Sequence, residues 1–165
     1  MRQLTLLACL VLAACSSSTS GYRDDEAQIA SAALFDPARF VDVWHIVAAY
    51  GPEAGCGPLA ETWVPVSNGR FRVTGTRCGP DGARSFVADA RVTGPGRITL
   101  DRPGQREELW VLWVDGDYRV AAIGTPDGSF ARVISRKVPP RPDLAAAARE
   151  ALDFNGYDLG QLAGI

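Results

Sequence analysis

The sequence predicts an all-β protein: an eight-stranded antiparallel up-and-down barrel followed by a C-terminal α-helix packed on its outside. Three observations carry that expectation. Trp110 to Arg136 reads as three strand-like runs joined by two tight turns, Asp115-Gly116-Asp117 and Thr125-Pro126-Asp127-Gly128; Gly, Asp and Pro between apolar runs tolerate the backbone angles that a reversal demands. The chain holds 17 Gly and 11 Pro in 165 residues, too many for a mostly helical protein, and they fall singly or in pairs between apolar runs. Every link between runs is short, which makes sequence neighbours sheet neighbours, and eight strands joined that way close on themselves and leave no exposed edge.

The N-terminus reads as processing information. Met1-Arg2-Gln3 supplies a positive start, Leu4 to Ala13 is apolar, and Leu12-Ala13-Ala14-Cys15 ends the stretch, the pattern of a signal peptide over 1–14 with the lipobox of a bacterial lipoprotein. About ten apolar residues are too few to cross a ~30 Å hydrocarbon core as a helix. Cys15 is therefore expected to become the first residue of the mature chain and to carry acyl chains, each CH₂ adding roughly 0.8 kcal/mol of membrane affinity. Ser16, where lipoproteins kept at the inner membrane have Asp, favours the outer membrane, with the protein facing the periplasm. Residues 15–33, small and weakly patterned, are expected to be a flexible tether, and 34–165 one folded domain.

Strands are expected at about 42–50, 59–66, 70–77, 84–92, 96–101, 107–114, 118–124 and 129–136. Alternation assigns their inward faces: Phe71, Val73 and Gly75 alternate with Arg70, Arg72, Thr74 and Thr76; Phe86, Ala88 and Ala90 alternate with Val87, Asp89 and Arg91; Ile98 and Leu100 continue the pattern. The sixth strand is apolar on both faces, and its sides stay unassigned. Pro142 can take a first helical turn, the following alanines have the best helix propensity, and Gly156 ends the run. Leu144, Ala148, Ala151 and Leu152 then share one face. Tyr157 and Leu159 are expected in a short ninth strand.

Once Cys9 is shed and Cys15 lipidated, Cys56 and Cys78 remain, an even pair in an oxidising compartment, which reads as a disulfide. A hairpin turning at Asn68-Gly69 brings them to about three positions from facing each other. Two cysteines with His45 as the single histidine do not supply a zinc shell.

Several of these segments carry a resemblance. The apolar run followed by Asp115-Gly116-Asp117-Tyr118-Arg119, then Gly124-Thr125-Pro126-Asp127, then Ile134-Ser135-Arg136 resembles the last strands of bacterial outer-membrane lipocalins. Phe40-Val41-Asp42-Val43-Trp44-His45-Ile46-Val47 resembles the first strand of that family, with Asp42 in place of Gly in its Gly-x-Trp. The resemblance covers about residues 35 to 162. It implies that Trp44 points into the closed base with the Arg136 guanidinium over its indole, a contact worth about 0.5–2 kcal/mol. It implies also that Asp117 and Tyr118 fix a hairpin, and that Ile46, Ala48 and Tyr50 share the interior face.

The small interior residues Ala48, Gly75, Ala88 and Ala90, with that resemblance, lead to the expectation of an apolar cup. Its lining would be Ile46, Ala48, Tyr50, Phe71, Val73, Gly75, Phe86, Ala88, Ala90, Ile98 and Leu100, sized for a fatty acid or lysophospholipid. A barrel filled solid by its own side chains is the alternative. Small periplasmic metalloprotease inhibitors also resemble this plan; such a protein would use residues 22–34 as its reactive element and need no cavity. With 17 Lys and Arg against 19 Asp and Glu and no basic stripe, nothing suggests a nucleic-acid partner. No cofactor motif and no Gly-x-Ser-x-Gly elbow occurs, and strand parity turns His45 away from the interior, so the expectation is a binding protein rather than an enzyme.

Overall fold

The structure, a computed structural model, describes residues 21–79 and 81–165. Cys15 and the signal-peptide segment lie outside the described residues. The strands are β1 (Asp42–Ala49), β2 (Leu59–Ser67), β3 (Arg70–Gly79), β4 (Gly82–Gly94), β5 (Arg97–Arg102), β6 (Gln105–Val114), β7 (Val120–Gly124) and β8 (Ala131–Ser135). Each pairs antiparallel with the next, and β1 pairs with both β2 and β8, which closes the barrel. Helix α1 (Pro142–Phe154) follows, and a two-residue strand β9 (Ala163–Gly164) pairs with β1 beyond its pairing with β2. The extra strand is thus not at Tyr157 and Leu159. Leu159 lies in a 3₁₀ turn, and Tyr157 makes an isolated bridge with Arg23.

Two bulges decide which side chains face the axis. In β1 the register shifts between Ile46 and Ala48; a bulge adds a residue to one strand and reverses inward parity beyond it. Ala49 therefore packs inside with Trp44 and Ile46, whereas Ala48 and Tyr50 join an outer cluster with Ala148, Leu152 and Tyr157. The interior face that the resemblance implies for Ala48 and Tyr50 assumes unbroken alternation from Trp44, which this shift interrupts. The second bulge lies between Val111 and Trp113 in β6. Leu109 and Val111 face the inner core and Trp110 and Leu112 the outer cluster; beyond the shift Trp113 stays on the outer side and Val114 returns to the inner one. β6 is apolar on both faces because both are covered: the barrel interior lies on one side and α1 with its neighbours on the other.

The base closes around Trp44, whose indole N–H donates to the Phe40 carbonyl at 3.1 Å. The Arg136 guanidinium lies 3.9 Å from the Trp44 ring centroid, and it donates to the carbonyls of Val43 (3.0 Å), Arg39 (3.1 Å) and Tyr118 (3.3 Å). Asp42 sits at φ 72°, a left-handed angle that glycine adopts without steric cost and Asp tolerates better than most residues. That angle explains why Gly belongs two residues before the tryptophan. Tyr118, at φ 59°, accepts from the Asp36 N–H at 2.5 Å and lies 4.4 Å beneath Arg39.

The hairpin turn before β7 is held by Asp115, not Asp117. The Asp115 carboxylate is buried and accepts from the backbone N–H groups of Asp117 (3.2 Å), Arg119 (2.6 Å) and Val120 (2.8 Å) and from Arg119 Nε (2.8 Å). Burial pushes its carboxyl up, but those hydrogen bonds outweigh burial and hold it below the ordinary value. Asp117 is exposed and pairs with Arg119 at 3.2 Å.

The segment expected to be a tether is, from Gly21 onward, part of the folded unit. The Tyr22 N–H donates to Gly128 O (2.8 Å), the Asp24 N–H to Gly156 O (2.8 Å) and the Ala32 N–H to Val111 O (2.8 Å). Arg23, 5% exposed, donates to the carbonyls of Asn155 (3.0 Å), Pro126 (3.1 Å) and Ala27.

Cys56 and Cys78 form the expected disulfide, with Cα atoms 6.1 Å apart across a sequence separation of 22. Closing a loop of that length restricts the unfolded chain by about 3 kcal/mol. The double substitution Cys56→Ala with Cys78→Ala is expected to lower urea-derived stability by about that amount, with the barrel still formed by circular dichroism.

Candidate functional site

The structure brings most of the expected lining residues to the barrel axis, but as a packed core. Ile46, Phe71, Val73, Ala88, Ala90, Ile98 and Leu100 are each at most 4% exposed and pack in one inner cluster or directly against it. Aromatic rings take up the room that Ala88 and Ala90 leave: Phe40 lies 4.9 Å from Trp44 and 5.2 Å from Trp63, and Trp63 lies 5.9 Å from Phe71, centroid to centroid. Gly75 has a different reason to be small. It opposes Glu61 across the β2–β3 pair, and a Cβ there would come within 2.7 Å of the Ala60 carbonyl and 2.9 Å of Glu61 Cβ. Its bare Cα admits a neighbouring strand rather than a ligand.

Above this layer the interior is ionic. Arg132 occupies an inward position of β8 at 1% exposure; it donates to Glu61 Oε2 at 2.7 Å and to Glu53 Oε1 at 3.1 Å. Glu61 also accepts the Trp63 indole N–H at 3.0 Å. Nearer the rim, Glu107 Oε2 accepts from Arg77 (2.9 Å) and Arg102 (3.0 Å). Two rings floor these cations: Phe130 lies 4.4 Å from the Arg132 guanidinium and Phe86 lies 5.0 Å from that of Arg77.

Glu53 reaches this network from a 3₁₀ turn (Gly51–Gly55) that dips into the open end. It is buried, and its Oε2 has no hydrogen-bond partner; the same holds for Nε of Arg77, Arg102 and Arg132. Burial pushes the Glu53 carboxyl up, Arg132 and Arg77 pull it down, and Glu61 and Glu107 add to the rise.

Over the network opens a hollow of about 680 Å³, at the end where the β1–β2, β3–β4, β5–β6 and β7–β8 links gather. Glu53, Arg77, Arg102, Phe86 and Phe130 line it, with Tyr22 and Tyr50 at one side. Of the residues expected to line a cup, Phe86 and Tyr50 reach this hollow. Sequence reasoning missed its charged members, although their signal was present: Arg77 extends the inward Phe71-Val73-Gly75 series, Arg102 follows Ile98 and Leu100, and Arg132 stands two residues before Ile134.

The raised Glu53 carboxyl has a testable consequence. A group that holds its proton more tightly folded than unfolded favours the folded state below the ordinary Glu value and loses that contribution as pH rises above it. Measured by urea unfolding from about pH 4 to about pH 8, the wild-type protein is expected to lose stability relative to Glu53→Gln as pH rises. A difference that is flat or grows in favour of the wild type contradicts the assignment.

No protein-family model matches the sequence, and no curated protein matches it. Solved structures do match. Lobster apocrustacyanin A1 superposes with a TM-score of 0.61 at 14% identity, covering 78% of each chain. Apocrustacyanin C1 gives 0.60 at 14% identity over 76% of each chain. A siderocalin described as functioning through dual ligand specificities gives 0.59 at 20% identity, over 76% of this chain and 92% of that one. These neighbours are lipocalins, and the likeness is one of fold: the chain folds as a lipocalin-like closed barrel of eight antiparallel strands with one helix and an extra strand.

Proposed function

We propose that the protein binds a small amphipathic ligand in the barrel mouth, its anionic group met by Arg77 and Arg102 and its apolar part laid against Phe86 and Phe130. A fatty acid or a lysophospholipid has that chemistry. The observation that carries the reading is the hollow itself: about 680 Å³, within the range of small-molecule sites, lined by Arg77 and Arg102 beside two aromatic faces. The packed axis confines the ligand to the mouth, so no acyl chain runs the length of the barrel. Ligand specificity in the siderocalin neighbour supports a binding role. The Leu12-Ala13-Ala14-Cys15 pattern supports the setting, a lipoprotein anchored through acyl chains on Cys15 at the outer membrane and facing the periplasm.

The filled axis favours a second reading, a protein-interaction or protease-inhibitor barrel with no ligand. Against it, the segment such an inhibitor would present, residues 22–34, is hydrogen-bonded along the barrel wall.

Calorimetric titration with oleate separates the two. Each charged hydrogen bond contributes about 1.5–3 kcal/mol, so Arg77→Gln and Arg102→Gln are each expected to weaken binding about 10- to 100-fold with the circular-dichroism spectrum kept. Arg141→Gln, on the exposed face near α1, is expected to change nothing. Absence of binding by the wild-type protein, together with inhibition of an envelope metalloprotease, reverses the order of the two readings.

A further inference from the structure

We infer that an anionic ligand enters the mouth together with one proton, which Glu53 takes up, so that binding there is coupled to the charge of a single loop carboxylate. The inference rests on the mouth-binding reading above and adds the charge balance that such a ligand requires.

The network under the hollow is already neutral. Its cations are Arg77 from β3, Arg102 from β5 and Arg132 from β8; its anions are Glu53 from the 3₁₀ turn, Glu61 from β2 and Glu107 from β6. No other charge among the described residues alters that balance. Arg84 of β4 lines the hollow, but it pairs with Asp81 at 3.0 Å on the exposed edge. Strand β1, which packs on the turn together with β3, has Asp42 at the closed base, and its His45 stands between the inward Trp44 and Ile46 and so points outward. Tyr22 and Tyr50 bring hydroxyl groups to one side of the hollow, and burial pushes the Tyr50 phenol well above its ordinary value. The side chains of Arg77, Arg102 and Glu107 are only 16%, 16% and 13% exposed. An anion added beside them without a compensating change leaves an unmatched charge in a nearly closed site, which is strongly unfavourable.

Of the three carboxylates, Glu53 is the one placed to become neutral. Glu61 accepts from Arg132 and from the Trp63 indole, Glu107 accepts from two guanidinium groups, and both stand on strands. Glu53 has one partner, Arg132 at 3.1 Å, and its Oε2 has none. It also lines the hollow beside Arg77 and Arg102. Burial, Glu61 and Glu107 already push its carboxyl up, and a ligand anion acts in the same direction. Swinging the side chain out of the mouth is opposed by the structure on both flanks: the Cys56–Cys78 bridge ties the end of the turn to β3, and Tyr50, just before it, packs 5.0 Å from Tyr22 and 5.8 Å from Tyr157. One proton from solvent on Oε2 leaves Oε1 with Arg132 and sets the three cations against Glu61, Glu107 and the ligand.

Titration calorimetry with decanesulfonate, an amphipathic anion that keeps its charge across the range, tests the coupling from about pH 5 to about pH 9. A bound state that holds the Glu53 proton more tightly than the free protein binds best at low pH and loses affinity as pH rises. The wild-type affinity is expected to fall by up to about tenfold per pH unit. That of Glu53→Gln, neutral throughout, is expected to stay level and to exceed the wild type by about tenfold or more at the alkaline end. A second readout needs no variant: at the pH of steepest fall, wild-type binding heats in buffers of low and high ionisation enthalpy are expected to report uptake of up to about one proton. A level wild-type affinity, a fall that Glu53→Gln shares, or no proton uptake overturns the coupling and leaves the mouth-binding reading standing. Decanesulfonate that binds at no pH overturns both.

Discussion

A guanidinium taken out of water costs several kcal/mol unless its charge is met where it sits, and Arg132, 1% exposed on an inward position of β8, places that demand on the whole upper barrel. Glu61 answers from β2 at 2.7 Å and Glu53 from the 3₁₀ turn at 3.1 Å. Gly75 leaves room for Glu61 to stand opposite it. A short loop that would otherwise hang free is thereby drawn over the mouth. The ion pairs need not add net stability, since replacing a buried pair by apolar groups is often neutral. They divide the barrel: apolar and solid below, charged and hollow above.

That division turns the functional argument around. Small residues on an inward face invite the picture of an apolar cup, but volume is a property of the whole cross-section and not of one strand. Ala88 pairs with Val73 and Ala90 with Phe71, and the rings of Phe40, Trp44 and Trp63 fill what those alanines vacate. A hollow is left at the level where the charged side chains gather. There the aromatic faces of Phe86 and Phe130 lie beside cations that are not fully hydrogen-bonded.

Much of this architecture is legible in the sequence because its determinants are local. Asp115-Gly116-Asp117 and Thr125-Pro126-Asp127-Gly128 reverse the chain where Gly, Asp and Pro permit it, and the strands fall within about two residues of their expected bounds. Arg136 over Trp44 and the Cys56–Cys78 bridge are likewise present. What stays hidden depends on three dimensions. The bulge after Ile46 sends Ala48 and Tyr50 to the outer wall without a mark in the alternation. The Asp115 carboxylate and the neighbouring Asp117 carry the same chemistry, and burial alone separates their roles. Residues 21–33 have too little pattern to announce that backbone hydrogen bonds and Arg23 fasten them to the wall.

The boundary between solid axis and ionic mouth can be observed directly by methyl-resolved nuclear magnetic resonance with oleate in excess. The account predicts intermolecular contacts from the ligand to Phe86 and Phe130 at the mouth, with the methyl resonances of Val73, Ile98, Leu100 and Leu109 unmoved. Contacts between the acyl chain and those four core residues would contradict it.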